Sequence, residues 1–265
     1  MSDAESIQLA NVVSRQAAAP LSTKIEYRLV STFPGWEGAP EFLSKFVELR
    51  KPKTILEISS GANPTLPPEQ IPPDIRYITS DADAAELAKA PPGYTARLLD
   101  LEKGMIPEDL HDSCDLVFSR MVNEHVRDGK QYHANIRRIL APGGLAVHCF
   151  ATLYALPFVV NRFLPDSLST SIYNRVAKRE NEHTHGKFQA HYGWSRGPTQ
   201  HMIRQYQSIG YEVLEYDGYF GHCYYDKKLK FLSALEKQKA RLLLKMPMPL
   251  LCAYATVVLR RPAGG

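Results

Sequence analysis

The chain has 265 residues, enough for one large domain or two small ones with a sizeable core. Its 44% hydrophobic and 23% charged residues are those of a soluble globular protein. A formal charge of +4 is too mild to predict nucleic-acid binding without a concentrated basic patch, so no nucleic-acid partner is expected.

Residues 1–38 read as a helical or irregular N-terminal segment, with "AAAP" and "FPGWEG" marking turns. "APEFLSKFVELR" carries Phe42, Phe46 and Leu49 at i, i+4 and i+7, the spacing of a helix with one buried stripe. "TILEI" follows as a continuous apolar strand running into a glycine turn, "SSGAN". Prolines 64, 67, 68, 72 and 73 then leave room for at most one helical turn. "RYITSD" is a second strand, "DAAELAKA" a short helix, "YTARLLD" a third strand, and "CDLVFSR" a fourth that is apolar on both faces. Asp128 can cap a helix with Tyr132, Ile136 and Ile139 on one face, ended by "APGG"; "LAVHCF" is the fifth strand. "GPTQHMIRQYQSIG" is a last amphipathic helix, and "YEVLEY" and "AYATVVLRR" complete seven strands.

Alternating strands and helices predict an α/β fold: a mostly parallel seven-stranded sheet covered by helices on both faces. One domain over residues 39–262 accounts for the alternation. Two insertions interrupt it, 151–197 after the fifth strand and 218–249 between the last two. Ligands of open α/β sheets bind outside the carboxyl ends of the strands, so the first insertion is placed as a substrate cover.

The glycine turn decides between cofactors. A dinucleotide needs a helix N-terminus to hold its pyrophosphate, and the prolines remove that helix. A phosphate-free adenosyl cofactor loses little, because it asks for close backbone approach at Gly61 and hydrogen bonds to ribose and amine. Asn63 suits a left-handed backbone position. Asp81, twenty residues past Gly61, stands where an acidic residue accepts from ribose hydroxyls. A surface aspartate after an ordinary turn is the competing reading.

The ordered run "ILEISSGANP", "YITSDAD", "LLDLE", "CDLVFSRMVNEHV" and "IRRILAPGGLAVHCF" resembles the class I S-adenosylmethionine-dependent methyltransferases, most of all their small-molecule branch, over about residues 54–150. The resemblance implies a Rossmann-like fold and S-adenosyl-L-methionine as cofactor. Position by position it implies Glu57 near the methionine end and Ser59, Gly61 and Asn63 on the glycine loop. It also implies Asp81 at the ribose, Asp100 with the Leu101 backbone at the adenine, and backbone contacts from Ser119 and Arg120 to the methionine portion. Ser59 and Asn63 stand where the family has glycines.

His125 in "NEHV" follows the fourth strand, where the family often places a histidine beside the transfer site; a base or orienting role and a structural hydrogen bond both stay open. "ENEHTHGKFQAHYGW" clusters His183, His185 and His191, but no carboxylate frame beyond Glu182 accompanies them, so no metal is expected and a polar substrate loop is favoured. His125, His185 and His191 are the candidate bases for a hydroxyl acceptor, a sugar or phenol among small molecules. His222, Tyr224 and Tyr225 are placed at the same mouth.

The basic run Lys227, Lys228, Lys230, Lys237, Lys239, Arg241 and Lys245, opposite Phe231, Leu232, Leu235 and Leu242–Leu244, reads as a solvated helix face. An anionic membrane surface or a lipid-linked substrate stays open. The turn "SRMVN" lacks the Asn/Asp-Pro-Pro-aromatic sequence of nucleic-acid amino-methylases, and the blocked helix disfavours a nicotinamide oxidoreductase. A non-catalytic binding protein on a decayed methyltransferase fold is the alternative from another class. Three of the four cysteines (Cys114, Cys149, Cys223, Cys252) fall in apolar runs and none forms a CxxC pair, the pattern of reduced, buried thiols. With no signal-peptide layout in "MSDAESIQLANVVSRQ", the expected compartment is the cytoplasm. Oligomeric state is not legible.

Overall fold

A computed structural model describes residues 22–153, 189–222 and 230–264. Its strands are β1 (Lys24–Leu29), β2 (Thr54–Ile58), β3 (Arg76–Asp81), β4 (Thr95–Leu98), β5 (Cys114–Arg120), β6 (Leu140–Ala151), β7 (Glu212–Phe220) and β8 (Tyr254–Arg260). The α-helices are α1 (Ala39–Arg50), α2 (Ala84–Leu87), α3 (Gly129–Ile139), α4 (Gln200–Ser208) and α5 (Lys230–Lys245). The strands form one sheet in the order β1-β7-β8-β6-β5-β2-β3-β4, in which only β8 runs antiparallel to its neighbours. From β2 the chain moves outward to β3 and β4, then returns across β2 to β5. That reversal opens a crevice at the carboxyl ends of β2 and β5, where such sheets take their ligands.

Seven of these strands are those the sequence predicts. The eighth, β1, lies within the stretch expected as helical or irregular. "KIEYRL" alternates charged and apolar residues, the period of a strand. Tyr27 and Leu29 pack against Phe220, Ala240 and Leu243. Lys24 and Arg28 instead meet acids: Lys24 Nζ lies 2.6 Å from Glu26 and 3.9 Å from Glu215, and Arg28 Nε 3.3 Å from Asp217.

The central strands are buried on both faces because helices cover both. On one face Leu56, Ile78, Val117, Ile136, Phe150, Tyr206 and Tyr216 form a cluster under α3 and α4. On the other, Leu43, Phe46, Ile55, Phe118, Val147 and Tyr254 form a second under α1. The buried stripe of α1 is Ala39, Leu43, Phe46 and Val47, with Phe42 at its margin; Leu49, expected inside, is exposed. Asp128 Oδ1 caps α3 by accepting from Gln131 N at 3.0 Å, and Thr199 Oγ1 caps α4 by accepting from Met202 N at 3.2 Å. The helix expected at "DAAELAKA" is only the single turn of α2. "APGG" belongs to β6, where the pairing with β5 shifts register between Cys114 and Leu116.

Candidate functional site

The carboxyl end of β2 carries the glycine turn. Ser60 N donates to Ser80 O at 3.1 Å and Asn63 N to Ser60 O at 2.6 Å, closing the turn against β3. Ser59 and Gly61 have positive φ, 51° and 40°, and Asn63 does not. The left-handed position that the sequence assigns to Asn63 therefore falls at Ser59, where an L-residue costs about 1–2 kcal/mol that glycine would not. Beyond the turn the prolines yield one tight 3-10 turn, Pro68–Gln70, and no α-helix. Without a helix, the backbone there offers no N-terminal dipole for a phosphate.

Hydrogen bonds hold the proline loop where a helix would otherwise pack. Glu57, buried at 2% exposure, accepts from Thr65 N at 2.8 Å, from the Thr65 hydroxyl and from the Tyr77 hydroxyl at 2.5 Å. Burial raises its pKa, and these donors together with the charge of Arg120 oppose the rise. Tyr94 adds a bond from its hydroxyl to Leu66 O at 2.6 Å. Glu57 thus spends both carboxylate oxygens inside the protein, on the loop rather than in the crevice.

Gly61 and Asp81 meet across the crevice. A Cβ on Gly61 would stand 3.0 Å from Asp81 Oδ2 and 3.4 Å from Glu86 O, so the glycine keeps open the approach to the carboxylate. Asp81 Oδ1 accepts from Asp83 N at 3.0 Å, which fixes the carboxyl plane. Burial raises the Asp81 pKa; backbone N–H groups of Asp83 and Ala82 pull it down, and the charges of Glu86 and Asp83 push it up. An acceptor held at the end of β3 beside a bare backbone suits a ribose diol.

After β4, Asp100 Oδ1 accepts from Glu102 N at 3.0 Å and Lys103 N at 3.1 Å, and Asn135 Nδ2 donates to Leu101 O at 2.9 Å. Glu102 Oε1 accepts from Arg127 N at 2.7 Å, tying this turn to the one after β5. Leu101 is buried. Between them these bonds fix an apolar wall with an adjacent carboxylate, an arrangement that fits a purine and its amine.

At the end of β5, Ser119 points its side chain into the protein, with Oγ 2.7 Å from His148 Nδ1 and 3.3 Å from Asn123 Oδ1. The residue is fully buried, so its hydroxyl is not offered to the crevice. Arg120 is half-buried and close enough to Glu57 for its charge to be felt there. Met121 takes φ 58° and donates its N–H to Cys149 O at 2.7 Å, turning the chain into Asn123–His125.

This turn brings His125 and His191 together. His191 N and Tyr192 N both donate to Glu124 O, at 2.8 and 3.2 Å, docking the segment after residue 188 onto the β5 turn. His125 Nδ1 lies 3.3 Å from Gln189 O. A carbonyl only accepts, so Nδ1 carries the proton and Nε2 is the basic nitrogen. Desolvation lowers the His125 pKa; the Gln189 bond raises it, and His191 lowers it further. The residue is partly open to solvent, yet its ring is crowded by the docked segment at Gln189. His183 and His185 lie outside the described residues, as do Tyr224 and Tyr225. His222 does not face the crevice: it is buried 3.7 Å from Glu236 of α5.

Three titratable groups near the site were not singled out from sequence. His133 and His148 are fully buried with ring centroids 5.1 Å apart. Burial pushes His148 down to about 3, and burial with the neighbouring ring pushes His133 well below the usual histidine value. Both stay neutral and pack as core rings. Glu124, also buried, is pushed up to about 7 by desolvation. Its place in "NEHV" was visible, but burial of a glutamate one residue from a candidate base leaves no mark in the sequence.

Among the described residues, Glu26, Glu215 and Asp217 form the one acidic group compact enough for a cation, with ligand atoms within 4.8 Å of one another. They sit mid-strand on β1 and β7, and Lys24 and Arg28 already occupy them.

Residues 67–148 match a family described as a methyltransferase domain. No protein of curated function matches the chain. Similar solved structures include phosphoethanolamine N-methyltransferase 2 from Haemonchus contortus in complex with S-adenosyl-L-methionine, at 15% identity and TM-score 0.46. That match covers 79% of this chain and 49% of that one. An S-adenosylmethionine dependent methyltransferase from Mesorhizobium loti matches at 16% identity and TM-score 0.44, over 84% of this chain and 100% of that one. The YcgJ protein from Bacillus subtilis matches at 15% identity and TM-score 0.48, over 86% and 99%. The family match lies on β3 to β6, next to the crevice where the glycine turn at Gly61 faces the acidic strand end at Asp81, so this part of the chain is similar to a methyltransferase domain.

Proposed function

We propose that the protein is a class I S-adenosylmethionine-dependent methyltransferase that methylates a hydroxyl group of a small-molecule acceptor, a sugar or a phenol, with His125 as general base and His191 beside it. The observation that carries this reading is the pairing of the two histidines at the carboxyl end of β5, on a segment docked by Glu124 O. In the same reading residues 39–262 are the methyltransferase domain, 151–197 is the substrate cover and 218–249 a second insertion.

Asp81 would hold the ribose hydroxyls, and Asp100 with Leu101 the adenine. Gly61 would let the cofactor approach the backbone, and Ser59 and Asn63 would shape the turn. The backbone at Ser119 and Arg120 would line the methionine portion. Glu57 would act through the loop it grips at Thr65, not by touching the cofactor. The bound cofactor supplies an electrophilic methyl group on a sulfonium whose thioether is a good leaving group. The residues supply alignment, the larger catalytic term in such a displacement, and a place for the proton. His125 Nε2 would take the proton of the acceptor hydroxyl. A depressed pKa keeps that nitrogen unprotonated near neutral pH, and the docked Gln189 carbonyl, accepting from Nδ1–H, steadies the imidazolium that results.

The test is a panel of sugars and phenols assayed by release of S-adenosylhomocysteine, with calorimetric titration of the cofactor alongside. Asp81→Ala should lose about 10- to 100-fold in cofactor affinity, the worth of hydrogen bonds to a charged acceptor. A His125→Gln/His191→Gln variant should bind cofactor normally and lose about 100- to 10,000-fold in transfer. Undiminished transfer in that variant would sink the base assignment.

A further inference from the structure

We infer that α5 and the turn after it form a docking surface for an anionic lipid bilayer. Of the twelve exposed large apolar side chains among the described residues, nine fall between 231 and 251. Phe231 is 76% exposed, Leu242 62% and Met246 72%. Scattered single apolar residues are ordinary on a surface; this concentration in one element is not.

The helix places them in order. Its inward stripe is Ser233, Glu236, Ala240 and Leu243, packed over Phe220 and Cys252. At 100° per residue, Phe231, Leu235 and Leu242 share a second stripe facing away from the protein. Lys230, Lys237, Arg241 and Lys245 lie together along one side of that stripe, and Lys239 borders the other. The helix is therefore amphipathic twice over: once toward its own core, and once outward, with an apolar ridge flanked by cations. Past its end Met246, Met248 and Leu250, spaced two apart around Pro247 and Pro249, continue the exposed apolar surface.

Charge decides what covers it. Residues 230–245 carry five basic side chains and one acidic, Glu236, which is buried and held 2.6 Å from Lys239. A second copy of this chain, docking ridge to ridge, would bring cations against cations. A bilayer with anionic headgroups takes the apolar ridge into its acyl boundary and the lysines at its surface, the arrangement of helices that lie in the membrane interface. The binding is peripheral: no described helix is long and apolar enough to cross a membrane.

The experiment is co-sedimentation of the full chain with vesicles of phosphatidylcholine, with and without phosphatidylserine. Binding should require phosphatidylserine and fall as salt is raised. Lys230→Gln/Arg241→Gln/Lys245→Gln should weaken it about a hundredfold, and Phe231→Ser/Leu242→Ser should weaken it comparably by removing the ridge. All five side chains are outside the cofactor crevice, so both variants should keep the parent's calorimetric affinity for S-adenosylhomocysteine, which separates lost docking from lost fold. Parent protein that ignores phosphatidylserine vesicles, or variants that bind them as well as the parent does, would overturn the inference. So would a dimer in solution that Phe231→Ser/Leu242→Ser dissociates, since the ridge would then be covered by a second copy.

Discussion

Glu124 sets up a pH dependence that one substitution should remove. The carboxyl is 3% exposed; Oε1 accepts only a long 3.4 Å bond from Ala151 N, and Oε2 has no hydrogen-bond partner among the described residues. Desolvation pushes its pKa from the ordinary 4.5 up to about 7. Below pH 4.5 the group is protonated whether the chain is folded or not, and the native state loses nothing by burying it. As pH rises from 4.5 to 7 the unfolded chain ionises first, so folding is progressively disfavoured, and above about 7 the deficit is constant. At 1.36 kcal/mol for each tenfold change in proton affinity, that deficit is about 3 kcal/mol. Glu124→Gln keeps the shape and the oxygen facing Ala151 N but cannot ionise. Urea unfolding of parent and variant at several pH values should show the variant more stable by up to about 3 kcal/mol at pH 8. The gain should shrink to nothing toward pH 4.5. Taking the difference between the two proteins cancels every other titrating group. A gain that is the same at all pH values, or a loss at pH 8, would refute the picture of a desolvated, poorly partnered carboxyl.

Gly61→Ala puts a methyl 3.0 Å from Asp81 Oδ2 on a backbone at φ 40°; calorimetry should show at least about a tenfold loss of cofactor affinity in a protein that still unfolds cooperatively. Gly129→Ala drives a Cβ to 2.2 Å from Trp194, whose ring packs on His133 and Tyr206. Thermal or urea unfolding should register a loss of about 1–3 kcal/mol. Cys114, Cys149 and Cys252 are buried, with burial pushing the first two thiols up to about 11 and about 12 and the third higher still. A colorimetric thiol titration of the native protein should therefore count at most one reactive cysteine, against four after denaturation.

What the sequence made legible follows from where side chains face one environment along a whole element. "TILEI" and "CDLVFSR" are buried on both faces, so their continuous apolar character marks them as central strands before any contact is known. β1 escaped because one of its two half-covered faces is ionic: Lys24, Glu26 and Arg28 look like a solvent-facing row until Glu215 and Asp217 are seen beside them on β7. The α1 stripe was misplaced because Phe42 and Leu49 compete with Leu43 and Val47 for the same helix, and only the facing sheet decides which pair turns inward. Asp81 and Asp100 were readable as strand-end acids because a strand fixes where its carboxyl end falls.

The glycine turn shows the limit of that legibility and its physical origin. Proline positions alone ruled out a helix after Gly61, and none forms there. What fixes the turn in place of a helix is long-range. The Glu57 carboxylate grips Thr65 and Tyr77, Tyr94 reaches back to Leu66, and the Ser60 hydroxyl sits 2.5 Å from that of Thr79. Five of these seven residues, Thr65, Leu66, Tyr77, Thr79 and Tyr94, lie outside the turn at residues 57–63, and no local pattern links them to it. A backbone strained at Ser59 is held from below by a buried carboxylate whose donors all come from its own protein. Rigidity that a helix would supply through repeated backbone bonds is supplied here through side chains. Loosening Glu57 should therefore disturb the cofactor turn and the stability of the central strands together, whereas changing Asp81 should disturb the cofactor alone.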